Sequence, residues 1–323
     1  MTEKRIKPIV VLSNCLEYKA CRYNGELIPN SFVKQLEAFV IYKPVCPEVE
    51  IGMGVPRDPI KIVLKNDKES LMQPSTGKDF SKPMSNFAKN YNASIEEVDG
   101  FILKSRSPSC GIKDVKLSDS MEKGPKIGNT TGFFAREVLN RFDGLAIEDE
   151  GRLTNYRIRE HFLTKLYMLA EFRKLKKKKT IQALINYHTI NKYILMSYNQ
   201  TKMRELGKVI GSYDKSNIDQ IYESYERTLK TALKNPTRKS SNINMFMHVF
   251  GYFSKNLNSK EKSFFLESLQ KYRNDKLPVS SIITLLRSWV IKYEQEYLME
   301  QTFFSPYPEE LMNITDSGKG REL

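Results

Sequence analysis

The sequence predicts two parts of different class: an α/β first half built on a mainly parallel sheet, then an all-α second half. Three observations carry this. Short apolar runs alternate with helix-like segments up to about residue 150, strand signals fade from about residue 152, and charge is divided unevenly between the halves. The 323 residues suffice for two ordinary domains; we place them at 1–150 and 151–323.

Taken in order, residues 6–13 (IKPIVVLS) read as a first strand, and SFVKQLEAFV (31–40) has helical apolar spacing. VIYKPVC (40–46) reads again as strand, and IKIVLK (60–65) alternates apolar and polar residues. A helix is expected around 83–93 and a strand at GFILK (100–104). Residues 128–141 fit a helix that ends near Asp143-Gly144, and GLAIED (144–149) a last strand. Strands separated by helices make a Rossmann-like, three-layer arrangement the expected form. Beyond it, EHFLTKLYMLAEFRKLKKKK, HTINKYILMSYNQTKMRELGKVI, NIDQIYESYERTLKTAL, FFLESLQKYR and SSIITLLRSWVIKYEQEYLMEQ carry helical patterns.

Residues 1–150 hold 22 Lys+Arg against 21 Asp+Glu, whereas residues 151–323 hold 30 against 17. Different tasks for the two parts are implied. No run approaches the roughly 18 apolar residues of a membrane span. The start, MTEKRIKPIVVLSNC, superficially resembles a lipoprotein signal, but its apolar core PIVVL is shorter than the roughly 7 residues such signals need. A cytoplasmic location is expected.

Four cysteines are present, all in the first half: Cys15, Cys21, Cys46 and Cys110. In a reducing compartment, sparse thiols in loops are more often ligands or nucleophiles than disulfides. Cys15, Cys46 and Cys110 each follow the end of a strand-like run. In a parallel sheet those ends share one edge, where ligands bind. Three thiolates brought together there favour zinc, copper(I) or an iron–sulfur cluster; unrelated, partly buried thiols are the alternative. The wide spacings and the absence of histidine from this half differ from a structural zinc site. The histidines, His161, His188 and His248, lie in the second half, and we expect His188 and His248 to pack helices.

Five short motifs occur in a fixed order: SNCL (13–16), CRYNG (21–25), VCPEV (45–49), GMGVPR (52–57) and KSRSPSCG (104–111). Together they resemble the TudS family of thiouracil desulfidases. HTINKYILMSYN, MHVFGYFSK, KLPVSSIITLLRSW and YLMEQTFFSPYPEEL resemble a YbgA-like helical domain of unknown function, and the junction EDEGRL (148–153) matches this pairing too. The resemblance implies removal of sulfur from a small thiolated pyrimidine, with sulfide released and a carbonyl left. It implies a [4Fe-4S] cluster held by Cys15, Cys46 and Cys110, with one open iron to take the thiocarbonyl sulfur and polarise its carbon.

Such chemistry needs a base for water and donors for the ring. Glu48, two residues beyond a proposed ligand, is the expected base. Ser107 and Ser109, then Ser105, are expected to hydrogen-bond substrate or cluster, or else to stabilise the turn. Arg57 and Arg22 are candidates to face a pyrimidine oxygen or a phosphate, or to serve as structural ion-pair partners. Cys21 reads as a packed or spare thiol. The motif Arg-Tyr-Asn-Gly at 22–25 departs from the Arg-Tyr-Asp-Gly of relatives; a structural role there would be kept by Asn24.

The basic second half suits RNA contact, and thiolated pyrimidines occur in tRNA; the competing reading is lysine decorating solvent-facing helices. Two other functions stay open from the sequence: a nucleic-acid-associated protein whose first half reads modified bases or is inactive, and a zinc-stabilised interaction domain.

Overall fold

In the computed structural model, which describes residues 5–122 and 125–316, the run IVVLS forms β1 (Ile9–Ser13), buried at every position. A strand apolar on both faces belongs in the middle of a covered parallel sheet, and β1 lies between two parallel neighbours. After it come α1 (Ser31–Leu36), whose Asn30 cap accepts from the Val33 N–H at 3.0 Å, and β2 (Ile41–Val45). β2 is an edge strand, which is where its Pro44 can sit without costing a ladder bond.

Next are α2 (Pro47–Glu50), β3 (Lys61–Lys65), β4 (Lys68–Gln73), β5 (Lys78–Asp79) and α3 (Ser81–Ser94). β6 (Gly100–Leu103) is again fully buried. Then follow β7 (Val115–Ser118), β8 (Gly128–Thr130), α4 (Phe133–Arg141) and β9 (Ala146–Asp149). The strands form two sheets. One is four-stranded and wholly parallel in the order β2-β1-β6-β9. The other is five-stranded and mixed, in the order β5-β4-β3-β7-β8.

The α/β class and the following all-helical half are as the sequence predicts. The second sheet is not anticipated: IKIVLK joins it rather than the parallel sheet. Its β3–β4 hairpin turns at Asn66-Asp67, both at positive φ, as a two-residue turn matched to strand twist requires. The expected helix over 128–141 is also corrected. Residues 128–130 pair as β8 with β7, and the helix starts only after Gly132. A Cβ at Gly132 would lie 2.5 Å from the Ser109 carbonyl oxygen, so the chain needs glycine where it passes under the 105–111 loop.

Two compact units result: one runs through Ala170 and includes the segment from Glu310, and the other is Glu171–Glu309. Helix α5 (Tyr156–Lys176) is continuous over that division. In the first unit Arg159 is buried and donates to the carbonyls of Leu153, Asn313 and Thr315 at 2.9, 2.5 and 2.6 Å. The second unit contains α6 (Ile181–Ile190), α7 (Lys192–Gly211), α8 (Ile218–Ala232), α9 (Lys239–Gly251), α10 (Ser259–Arg273), α11 (Val279–Lys292) and α12 (Glu296–Met299). The stretch HTINKYILMSYNQTKMRELGKVI is thus two helices, and α7 kinks at Asn199. Aromatic rings fill this core: Phe172 stacks on Tyr225 at 5.5 Å and Phe250 on Phe265 at 4.4 Å. His188 packs there, 3.0 Å from the Tyr225 hydroxyl, whereas His248 is exposed, against expectation.

Gly100 in β6 has no room for a side chain. An added Cβ would lie 2.6 Å from the Ala146 carbonyl oxygen and 2.8 Å from Leu166 Cδ1. We expect Gly100→Ala to cost about 1–3 kcal/mol through overpacking, read as a lower urea midpoint for the first unit.

Candidate functional site

Parallel strands deliver their following loops to one edge. Cys15 lies two residues beyond β1, Cys46 directly after β2, and the 105–111 loop follows β6. These loops surround a cavity of about 310 Å³. Its lining includes Cys15, Cys21, Cys46, Cys110, Glu48, Arg57, Lys104, Ser105, Ser107, Arg22 and Tyr23. Cys21 and Cys110 are buried, and Cys15 and Cys46 are half-buried.

The four thiols act on one another. Burial, reinforced by Cys46, Glu150 and Glu48, pushes the Cys15 thiol up to about 12, while Lys104 opposes it. A hydrogen bond from the Cys21 thiol lowers Cys46 to about 7, with help from the Val49 N–H and Arg57 and against its burial. Cys21 is raised in return, by that hydrogen bond and by burial. Burial also drives Cys110 well above its ordinary value, with Cys15 and Cys46 adding; a bond to the Ser13 side chain pulls the other way. Cys110 therefore senses both Cys15 and Cys46, and Cys15 senses Cys46.

Such a donor set fits a sulfur-ligated group. Its thiolates are unfavourable alone in a desolvated pocket and need positive charge between them. Among the described residues no three His, Cys, Asp or Glu side chains are drawn together tightly enough to grip one metal ion.

Glu48 stands in helix α2, beside the thiols, and is tightly held. Arg57 donates to Glu48 Oε2 from Nε at 2.8 Å and from Nη2 at 2.6 Å, and Ser109 Oγ donates to Oε1 at 2.9 Å. Arg57 also donates from Nη1 to the carbonyls of Cys21 at 3.1 Å and Gly54 at 2.9 Å. It thus ties the Cys21 loop to the carboxylate.

Of the expected serines, Ser107 lines the cavity, and its Oγ accepts from the Ser109 N–H at 3.2 Å and the Cys110 N–H at 3.1 Å. Ser109 is fully buried and reaches the site only through Glu48, outside the cavity lining. Ser105 is bound by Glu150 at 2.7 Å to its N–H and 2.8 Å to its hydroxyl. Arg22 lines the cavity and pairs with Glu26 at 3.3 Å. Asn24 builds a local turn, donating to the Glu26 carboxylate at 2.6 Å and accepting from the Glu26 N–H at 3.3 Å, with Gly25 at φ +76°.

The sequence reading missed Lys104, Glu150 and Ser13 as site residues. All three stood inside quoted motifs, KSRSPSCG, EDEGRL and the residue before SNCL's asparagine, but nothing in their spacing marks them. The Ser13 hydroxyl accepts from the Lys104 backbone N–H at 2.9 Å, joining β1 to β6 at the site.

Side chains of Arg57 and Glu48 are only 5% and 14% exposed. Arg57→Met therefore leaves a buried carboxylate without its cation. We expect a loss of roughly 3 kcal/mol in unfolding free energy, measured by urea denaturation, with Glu48→Gln/Arg57→Met recovering part of it.

Comparison with known proteins follows the division into halves. Residues 10–150 match the family model described as 2-thiouracil desulfurase, and residues 192–308 match the one described as protein of unknown function (DUF1722). The uncharacterized protein YbgA of Escherichia coli (strain K12) is 26% identical over 158 residues, which are 48% of this chain and 93% of YbgA. The uncharacterized protein YbbK of Bacillus subtilis (strain 168) is 28% identical over 110 residues, 32% of this chain and 73% of YbbK. A solved structure of a [4Fe-4S]-dependent thiouracil desulfidase, TudS, is 24% identical, covers 46% of this chain and 93% of its own, and superposes with a TM-score of 0.36. The resemblance seen in the sequence stands: a thiouracil desulfidase-like part is fused to a YbgA-like helical part.

Proposed function

We propose that the first unit exchanges the thiocarbonyl sulfur of a thiolated pyrimidine for the oxygen of water, releasing sulfide and leaving a carbonyl. The family match over residues 10–150 supports the general activity. The observation that carries the reading to this site is that three thiols, from the ends of three adjacent parallel strands, line one cavity with a fixed carboxylate.

Cys15, Cys46 and Cys110 would hold the [4Fe-4S] cluster, which supplies a soft Lewis acid for the substrate sulfur. The chain's own residues do the rest. Glu48 takes the proton of the attacking water. Its Oε2 is taken up by two donors of Arg57, whereas Oε1 accepts only from Ser109 and keeps a lone pair for that proton. Ser107 accepts two backbone N–H groups, which fixes its oxygen and leaves its hydroxyl proton for a ring acceptor. Val45, Pro59 and Ile60 give the cavity apolar walls that limit stray water. Arg22, at the cavity wall beside exposed Tyr23, faces a pyrimidine oxygen or a phosphate.

RNA contact through the basic second half remains the alternative role for that half. Its charge, 30 Lys+Arg against 17 Asp+Glu, supports it. Retention on RNA that falls steeply with salt, without turnover, would favour a nucleic-acid-associated protein over a desulfidase.

The test is anaerobic reconstitution with iron and sulfide, followed by thiouracil turnover. We expect Cys15→Ala, Cys46→Ala and Cys110→Ala to lose the brown iron–sulfur absorbance. Glu48→Gln should keep the wild-type iron content and lose turnover by about 100-fold or more, the range of a general base. Cys21→Ser should keep the iron. Colourless wild-type protein would end the cluster reading.

A further inference from the structure

The fourth strand of the parallel sheet also reaches the site. β9 continues beyond Asp149 into Glu150, whose N–H donates to the Leu103 carbonyl at 3.3 Å. This ladder sets Glu150 beside Lys104, the first residue after β6. Glu150 is 9% exposed, and its carboxylate turns inward on the start of the 105–111 loop. Oε2 accepts the Ser105 N–H at 2.7 Å, and Oε1 accepts the Ser105 hydroxyl at 2.8 Å and the Lys104 ammonium.

Lys104 is fully occupied. Its Nζ donates to Glu150, to the Ser105 carbonyl at 3.0 Å and to Ser105 Oγ at 3.0 Å. An ammonium has three N–H bonds, so none is left over for a substrate. What Lys104 offers the cavity is a fixed positive charge, and it counters the upward push on Cys15. Glu150 in turn has no face on the cavity lining. It works through the two residues it holds.

We propose that Glu150 is a positioning residue of the desulfidase site: it anchors Ser105 at the head of the cysteine-bearing loop and pins the Lys104 ammonium as the fixed cation beside Cys15. The cluster part of this inference rests on the function proposed above; the loop part does not. It assigns a role to the EDEGRL junction that neither the thiols nor Glu48 need for their own geometry.

Two measurements on the full chain test it. The first uses no cluster. Arg106, whose side chain is 84% exposed, offers trypsin a bond within the loop. Limited proteolysis of native protein, with the Arg106–Ser107 bond followed by mass spectrometry, should run about tenfold faster in Glu150→Gln, because charge-assisted hydrogen bonds that close the loop are weakened. Lys104→Met, which leaves the Glu150–Ser105 bonds in place, should give a smaller increase, and it serves if Glu150→Gln fails to fold. Unchanged cleavage in the folded variants overturns the anchor.

The second uses anaerobically reconstituted protein and reads the midpoint potential of the cluster. Removing the cation in Lys104→Met should lower it, and removing the carboxylate in Glu150→Gln should raise it. A general loosening of the fold gives no such opposition of sign, so shifts in one common direction overturn the charge role. If wild-type protein takes up no iron, the function proposed above fails, and the cleavage rates alone decide whether Glu150 anchors the loop.

Discussion

Everything at the site depends on β1 being paired in parallel on both sides. Its register sets Ser13 against Val45 on one flank and Leu12 against Ile102 on the other. Three chains therefore end at one level and turn into loops there. β1 and β6 are buried at every position, so the pairing is held by apolar burial rather than by the loops. That order of causes lets the loops carry polar and sulfur side chains without the fold relying on them.

Charge at the cavity is balanced in two separate assemblies. Arg57, Glu48 and Ser109 form one, and Lys104, Glu150 and Ser105 the other. Each joins a cation, a carboxylate and a serine from the 105–111 loop. Buried charges persist only when paired and hydrogen-bonded, and here the pairing doubles as positioning. The thiols between them are raised by burial and by one another, apart from Cys46, which its neighbour Cys21 lowers to about 7. Thiols raised in this way are unfavourable as free thiolates.

The second unit is organised on other terms. Its helices bury aromatic rings in quantity, with Trp289 within 6.0 Å of Phe250, Phe253 and Phe265. Some of its basic residues are paired with acids: Lys176 and Lys230 both with Glu226, at 2.6 and 2.8 Å, and Lys179 with Asp219 at 2.8 Å. Pairs this exposed add little stability. They do reduce the charge that the lysine block presents.

The two classes of fold, the strands β1, β2, β6 and β9, and the candidacy of Cys15, Cys46, Cys110, Glu48 and Arg57 are legible in the order of the amino acids alone. Apolar runs and short loop motifs are local signals, and these are local features. Gly128–Thr130 looked helical because three residues before a helix carry no periodicity of their own; only pairing with β7 made them a strand. The second sheet was hidden for the same reason, since β4 and β7 gain their meaning from partners distant in sequence. Folding in three dimensions is what makes Ser109 serve Glu48 from behind, spends Arg57 on Glu48 and two carbonyls, and joins Glu150 to Lys104 and Ser105. The Ser109 and Glu150 roles are contacts between residues 45 to 61 positions apart, and a contact at that separation is created by strand order and register, which no stretch of sequence carries alone.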